Sequence, residues 1–142
     1  MANASTWGNE MFVTTQMPAI SLGFPDVCEI PTPVGPIPLP FPNISESVLG
    51  DPATAADNIL IECMPVHNMG TIGTISEGDA GTGLISQEMM GPQTTLLGSF
   101  TCLMGGLPTS RMLSMTGHNG IPMNTVGVTL SPSQVVTLCL AP

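Results

Sequence analysis

The chain has 142 residues, only 8% of them charged, and ten acidic side chains against a single basic one, Arg111, set its formal charge at −9. With no lysine and one arginine there is no basic patch to neutralise phosphates, which argues against nucleic acid and anionic membrane surfaces as partners. A chain this long folds as one domain that removes roughly 70% of its unfolded surface from water. Residues 1–142 therefore read as a single domain, with 1–10 as a flexible N-terminal tail.

The opening, MANASTWGNEMFVTTQ, has neither the positive start nor the apolar stretch of a secretory signal. Nowhere does the sequence approach the ~18 consecutive apolar residues of a membrane span. The expectation is synthesis in the cytosol, no stable membrane insertion, and export only by a signal-independent route. In the cytosol Cys28, Cys63, Cys102 and Cys139 stay reduced, so metal ligation or core packing is expected of them rather than disulfides.

Along the chain, β-branched and apolar runs sit between Gly, Pro, Ser, Asn and Asp clusters. Short strands are expected near Met11–Gln16, Ala19–Phe24, Asn58–Cys63, Gly83–Gln87, Leu96–Met104, Val126–Leu130 and Gln134–Leu140. Repeated short strands with turn signals imply an all-β domain. IPTPVGPIPLPFPN (Ile30–Asn43) carries proline at 31, 33, 36, 38, 40 and 42. Lost donors and a fixed φ keep it from being a central strand, so it should lie extended with Ile37, Leu39 and Phe41 alternating toward the body. A disordered proline linker is the alternative. The glycines between Gly70 and Gly83 are followed by neither a Lys nor a strong helix, so they do not read as a phosphate loop. They suit narrow β structure in which backbones approach closely.

MFVTTQ, LGFPDVC, PTPVGPIPLPFPNI, MPVHNM, SEGDAGTG, GSFTCLMGGLPTSRM, TGHNG and LSPSQ follow one another over essentially the whole chain. In this series the chain resembles the PAAR-like family of type VI secretion spike-tip proteins, and within it the group that opens with FPDVC. Pro108 and Arg111 of PTSR stand where the name-giving Pro-Ala-Ala-Arg would be, with two of four residues changed. A guanidinium fork can bond several carbonyls at a turn, which a lysine could not; a solubilising surface arginine is the plainer reading.

The resemblance implies a small β cone, a monomer seated on a trimeric VgrG-type spike protein. It would sharpen a type VI or related contractile injection machine for membrane puncture and delivery of effector or toxin proteins. It also implies a structural zinc ion near the apex, held by His and Cys. Zinc takes four N/S ligands more readily from loops than from mid-strand positions. Cys28 after the FPD turn, His67 in MPVHN and His118 in TGHNG are the expected ligands, and Cys63, four residues before His67, the fourth. Water or Asp79 could complete the shell instead, and buried Cys with hydrogen-bonded His and no metal is the alternative. Cys102 and Cys139 read as small core hydrophobes.

Eleven methionines and few charges point to an apolar base meeting the spike, with Ile37, Leu39 and Met104 as expected contacts. No enzyme is expected. Cys28 with His67 or His118 and Asn68 or Asn119 could be written as a thiol-hydrolase toxin, but no catalytic motif supports it. The sequence ends at Pro142 just past the last expected strand, so no effector extension is expected. A small metal-binding or adhesin-like β module is the non-enzymatic rival.

Overall fold

The structure, a computed structural model, describes residues 11–140, so the expected tail at residues 1–10 lies outside it. In chain order the strands are β1 (Met11–Phe12), β2 (Ile20–Ile30), β3 (Ile37–Glu46), β4 (Ala56–Ile61), β5 (Met64–Val66), β6 (Ile72–Gly73), β7 (Thr82–Gly83), β8 (Gln93–Thr95), β9 (Ser99–Met104), β10 (Leu107–Thr109), β11 (Met115–His118), β12 (Thr125–Thr129) and β13 (Leu138–Cys139). The fold is all-β, with one 3-10 turn at Ser47–Leu49 and no α-helix among the described residues. None of them belongs to a helix long and apolar enough to cross a membrane.

The largest sheet is antiparallel with order β3-β2-β12-β11-β8-β6, and β7 also pairs with β2. The proline run is its edge strand. Ile44 N–H donates to Glu77 O at 2.6 Å, on the side of β3 away from β2. Pro38, Pro40 and Pro42 share the parity of Ile44, so their missing donors fall on that outer side and cost the ladder nothing. The alternation has the expected phase, but only Phe41, Asn43 and Ser45 are covered. Ile37 and Leu39 stay 47% and 44% exposed, which corrects the expectation that they turn into the body.

The register of β2 against β3 shifts between Gly23 and Asp26. An extra residue reverses which parity faces inward, so Ser21 and Gly23 point into the domain before the shift and Asp26 and Cys28 after it.

Two other expected strands shrink for local reasons. Gly83–Gln87 turns back on itself, with Gln87 N–H bonded to Gly83 O and Gln87 at φ 57°. In Gln134–Leu140 only Leu138 and Cys139 pair, because the Gln134 side chain accepts from Val136 and Thr137 N–H and gives the backbone another partner.

The remaining two-stranded ladders are β1–β13, β4–β5 and β9–β10. The last two superimpose in register: Ala56, Leu60 and Ile61 pair with Val66, Pro65 and Met64, while Ser99, Leu103 and Met104 pair with Thr109, Pro108 and Leu107, each with a bulge at the same step. Both turns, Glu62–Cys63 and Gly105–Gly106, have positive φ at both residues, as a two-residue primed turn requires. β13 against β1 repeats the pattern, with Leu138 opposite Phe12 and Cys139 opposite Met11.

The three units are joined cyclically. Thr14 N–H donates to Ser110 O, Ser110 N–H to His67 O and His67 N–H to Thr14 O, at 2.9, 3.0 and 2.9 Å. A second ring keeps the threefold relation with its donors running the opposite way round: Gln16 N–H to Pro65 O, Met69 N–H to Pro108 O and Met112 N–H to Phe12 O, at 2.9, 2.9 and 2.8 Å. The bridges Thr15–Val66, Asn68–Thr109 and Arg111–Val13 follow the same rotation. One chain thus builds three equivalent backbone units around a pseudo-threefold axis. Val13, Ala56, Val66 and Cys139 are the buried apolar cluster among them, with Ile59, Ile61, Cys102 and Met104 packed against it.

Candidate functional site

Away from that cluster the interior is polar. β2 supplies Asp26 and Cys28, β3 supplies Asn43, and the end of β11 supplies His118 and Asn119, all fully buried. Asp79 arrives on the glycine-rich segment, which is anchored when Glu77 exchanges both backbone bonds with Ile44. Gly78 follows at φ +121°, and a Cβ there would collide with the Pro42 carbonyl, so only glycine lets this segment reach the site.

Buried polar groups need partners, and nearly all of these have them. Asn43 donates to Asp26 Oδ2 at 3.0 Å while its Oδ1 meets His118 Nδ1 at 3.0 Å. His118 Nε2 meets Thr116 Oγ1 at 2.8 Å. Asn119 Nδ2 stands between three acceptors: Asp26 Oδ2 at 3.0 Å, Asp79 Oδ2 at 3.1 Å and Cys28 Sγ at 3.7 Å. Its Oδ1 accepts from Gly91 N–H at 3.0 Å. Asn124 Nδ2 donates to Asp26 Oδ1 and, at 2.9 Å, to Val27 O. Asp79 Oδ1, in contrast, is buried with no hydrogen-bond partner.

Electrostatics follow from the burial. Desolvation, then the Asp26 and Asp79 carboxyls, push the Cys28 thiol up to about 12. His118 is pushed down to about 4 by desolvation, which Asp26 offsets in part, and His67 to about 4 by desolvation alone.

The four residues expected as zinc ligands are not brought to one point. Cys63 is exposed in the β4–β5 turn, and the extended β5 carries the chain roughly 13 Å between it and His67, at ~3.3 Å per residue. His67 sits in the cyclic triangle of the pseudo-threefold axis, its ring against Gly50 and its Nε2 without a partner. It borders a small polar cavity of about 10 Å³ with Thr14, Ser110 and Thr95. Cys28 and His118 do share the polar interior, yet both His118 nitrogens are engaged by Thr116 and Asn43. A His/Cys zinc centre therefore does not fit these side chains. Among the described residues, the group whose ligand atoms all lie within 4.8 Å of one another is Asp26, Cys28 and Asp79.

The motif residues lie in the seams between pseudo-threefold units. Pro108 O accepts from Met69 N–H, and Arg111 pairs with Val13 while its N–H donates to Ser114 Oγ at 3.0 Å. A family model described as a toxin PAAR-like domain matches residues 19–127. The chain belongs to this family. No curated protein and no solved structure matches it.

For this PAAR-like domain, sequence reasoning overlooked Asp26 as a site residue and named Asp79 only as an optional ligand. A usable signal was present, since Asp26 and Cys28 are two apart in a strand and so share a face. Of the apolar contacts expected for a partner, Met104 packs on the three-unit cluster and Ile37 and Leu39 lie on β3.

Proposed function

We propose that this PAAR-like domain is the single-chain tip of a contractile injection machine of the type VI kind, seated on a trimeric spike protein. The observation that carries this reading is the cyclic exchange of backbone hydrogen bonds among Thr14, His67 and Ser110. A trimer offers three identical edges around its axis, and a monomer can engage all three only if it repeats its own backbone threefold. The three units do so without repeating their sequence.

The docking face is formed by the outer faces of the three ladders. Leu60, Leu103 and Leu138 occupy equivalent register positions, opposite Pro65, Pro108 and Phe12, and are 60%, 59% and 43% exposed. Three leucines related by a threefold rotation form an apolar surface that a lone domain seldom leaves open. The tip performs no reaction in this reading. Support comes from the Cys28 thiol, which burial and two carboxyls hold near 12, far from a thiolate nucleophile, and from His118, which is bonded to Thr116 and Asn43.

Co-purification with a trimeric VgrG-type spike protein tests the proposal. Leu60→Asp, Leu103→Asp and Leu138→Asp together should abolish the complex and leave the fold intact by circular dichroism, whereas Ile37→Asp with Leu39→Asp should leave it bound. Retained binding by the leucine variant would overturn the assignment of this face, and failure of the wild type to bind any such trimer would overturn the function.

A further inference from the structure

We propose that Asp26, Cys28 and Asp79 form a binding site for one divalent transition ion of the zinc class, with Asn119 as its gatekeeper. Two acids and a thiol with ligand atoms within 4.8 Å of one another are a donor set suited to a cation. The chain's one arginine is elsewhere, beside Met11, Leu97 and Met112. Asp79 is 4% exposed, and its Oδ1 lacks any hydrogen-bond partner. A buried carboxylate oxygen left unpaired costs free energy that a coordinated ion would recover.

Asn119 marks the position. Its Nδ2 donates to Asp26 and Asp79 and lies 3.7 Å from Cys28 Sγ, so the partly positive amide now satisfies the groups that an ion would claim. Asn119 has φ 56°, a left-handed value that Asn and Asp tolerate better than other side chains. On binding, the Cys28 thiol gives its proton to solvent and its sulfur to the ion, and the amide withdraws from the two carboxylates. A sulfur among oxygens selects a borderline ion such as Zn²⁺ over Mg²⁺ or Ca²⁺, which prefer oxygen alone. This inference does not depend on spike capping.

The test uses the full chain purified without chelator, stripped, and titrated with Zn²⁺ by calorimetry alongside a thermal shift and elemental analysis. One equivalent per chain and a melting temperature that rises with Zn²⁺ are expected. Asp79→Asn and Cys28→Ser should lose that equivalent, while Cys63→Ser and His67→Gln should keep it. Asn119→Asp adds a third carboxylate at a compatible φ and should tighten Zn²⁺ binding by at least ~10-fold, the scale on which neighbouring groups tune metal affinity. That variant decides the matter where Asp79→Asn or Cys28→Ser fails to fold. A folded wild type that takes up no Zn²⁺ would overturn the proposal. So would equal metal loss from Cys63→Ser, unchanged or weaker binding by Asn119→Asp, or equal occupancy by Mg²⁺ or Ca²⁺.

Discussion

Lowering the pH from 7 to 4 is expected to remove about 6 kcal/mol of stability, a large part of the ~5–15 kcal/mol that a domain usually has. His67 and His118 are both buried, and desolvation brings each from an ordinary 6.5 to about 4. The folded state therefore refuses protons that the unfolded chain accepts, and stability falls wherever the unfolded state binds more of them. Their contribution is fully present above pH 6.5 and is lost as the pH falls through about 4. A displacement of this size is worth about 3 kcal/mol for each histidine. Urea denaturation at pH 7.0, 5.5 and 4.5 should give a midpoint that drops steadily, and His67→Gln should flatten the slope by about half. Equal midpoints at pH 7.0 and 4.5 would show that the imidazoles are not held neutral by burial.

Gly127→Ala should be strongly destabilising for a single added methyl group. Gly127 lies in the middle of β12, paired with Gly23 of β2 and Thr116 of β11. A Cβ there would lie 2.5 Å from Leu22 O and 2.7 Å from His118 Nε2. The first is backbone in a ladder. The second belongs to a ring fixed at both nitrogens, so neither can yield without breaking the sheet or the polar interior. Overpacking of this kind costs ~1–3 kcal/mol in an ordinary core and more where the obstacle is backbone. The expected loss is about 4 kcal/mol, read from the shift in denaturation midpoint. A loss below about 1 kcal/mol would mean that β12 and β2 are not so closely apposed.

The all-β architecture and the places of β1, β2, β4, β9, β12 and β13 were legible because β-branched runs and turn residues act locally, whereas β5, β6, β8, β10 and β11 fall outside every expected strand. The proline run shows the limit of that logic. The absence of donors correctly excluded a central strand, but only the pairing of Ile44 with Glu77 reveals that the prolines face the outer edge. The threefold repetition was harder to see. Met64-Pro65-Val66-His67-Asn68-Met69 and Leu107-Pro108-Thr109-Ser110-Arg111-Met112 share only Pro and the final Met, and the third unit is assembled from the two ends of the chain. What repeats is backbone hydrogen bonding, which constrains side chains little.

The expected zinc ligands do not come together for a related reason. Cys63 and His67 are close in sequence, but an extended strand separates them, whereas Asp79 meets Asp26 and Cys28 across strands. Histidine is expected as a ligand because the family resemblance implies a zinc held by His and Cys. Both histidines serve instead as buried, neutral imidazoles, one between Thr116 and Asn43 and the other at the cyclic triangle.

If one chain satisfies three edges of a trimer, the mass of the assembled complex shows it most directly. Native mass spectrometry of the domain with its cognate spike should give three spike chains and one copy of this protein, with no homotrimer of the free domain. Three copies on the trimer, or a stable homotrimer alone, would contradict it, because the internal threefold would then have no partner to match.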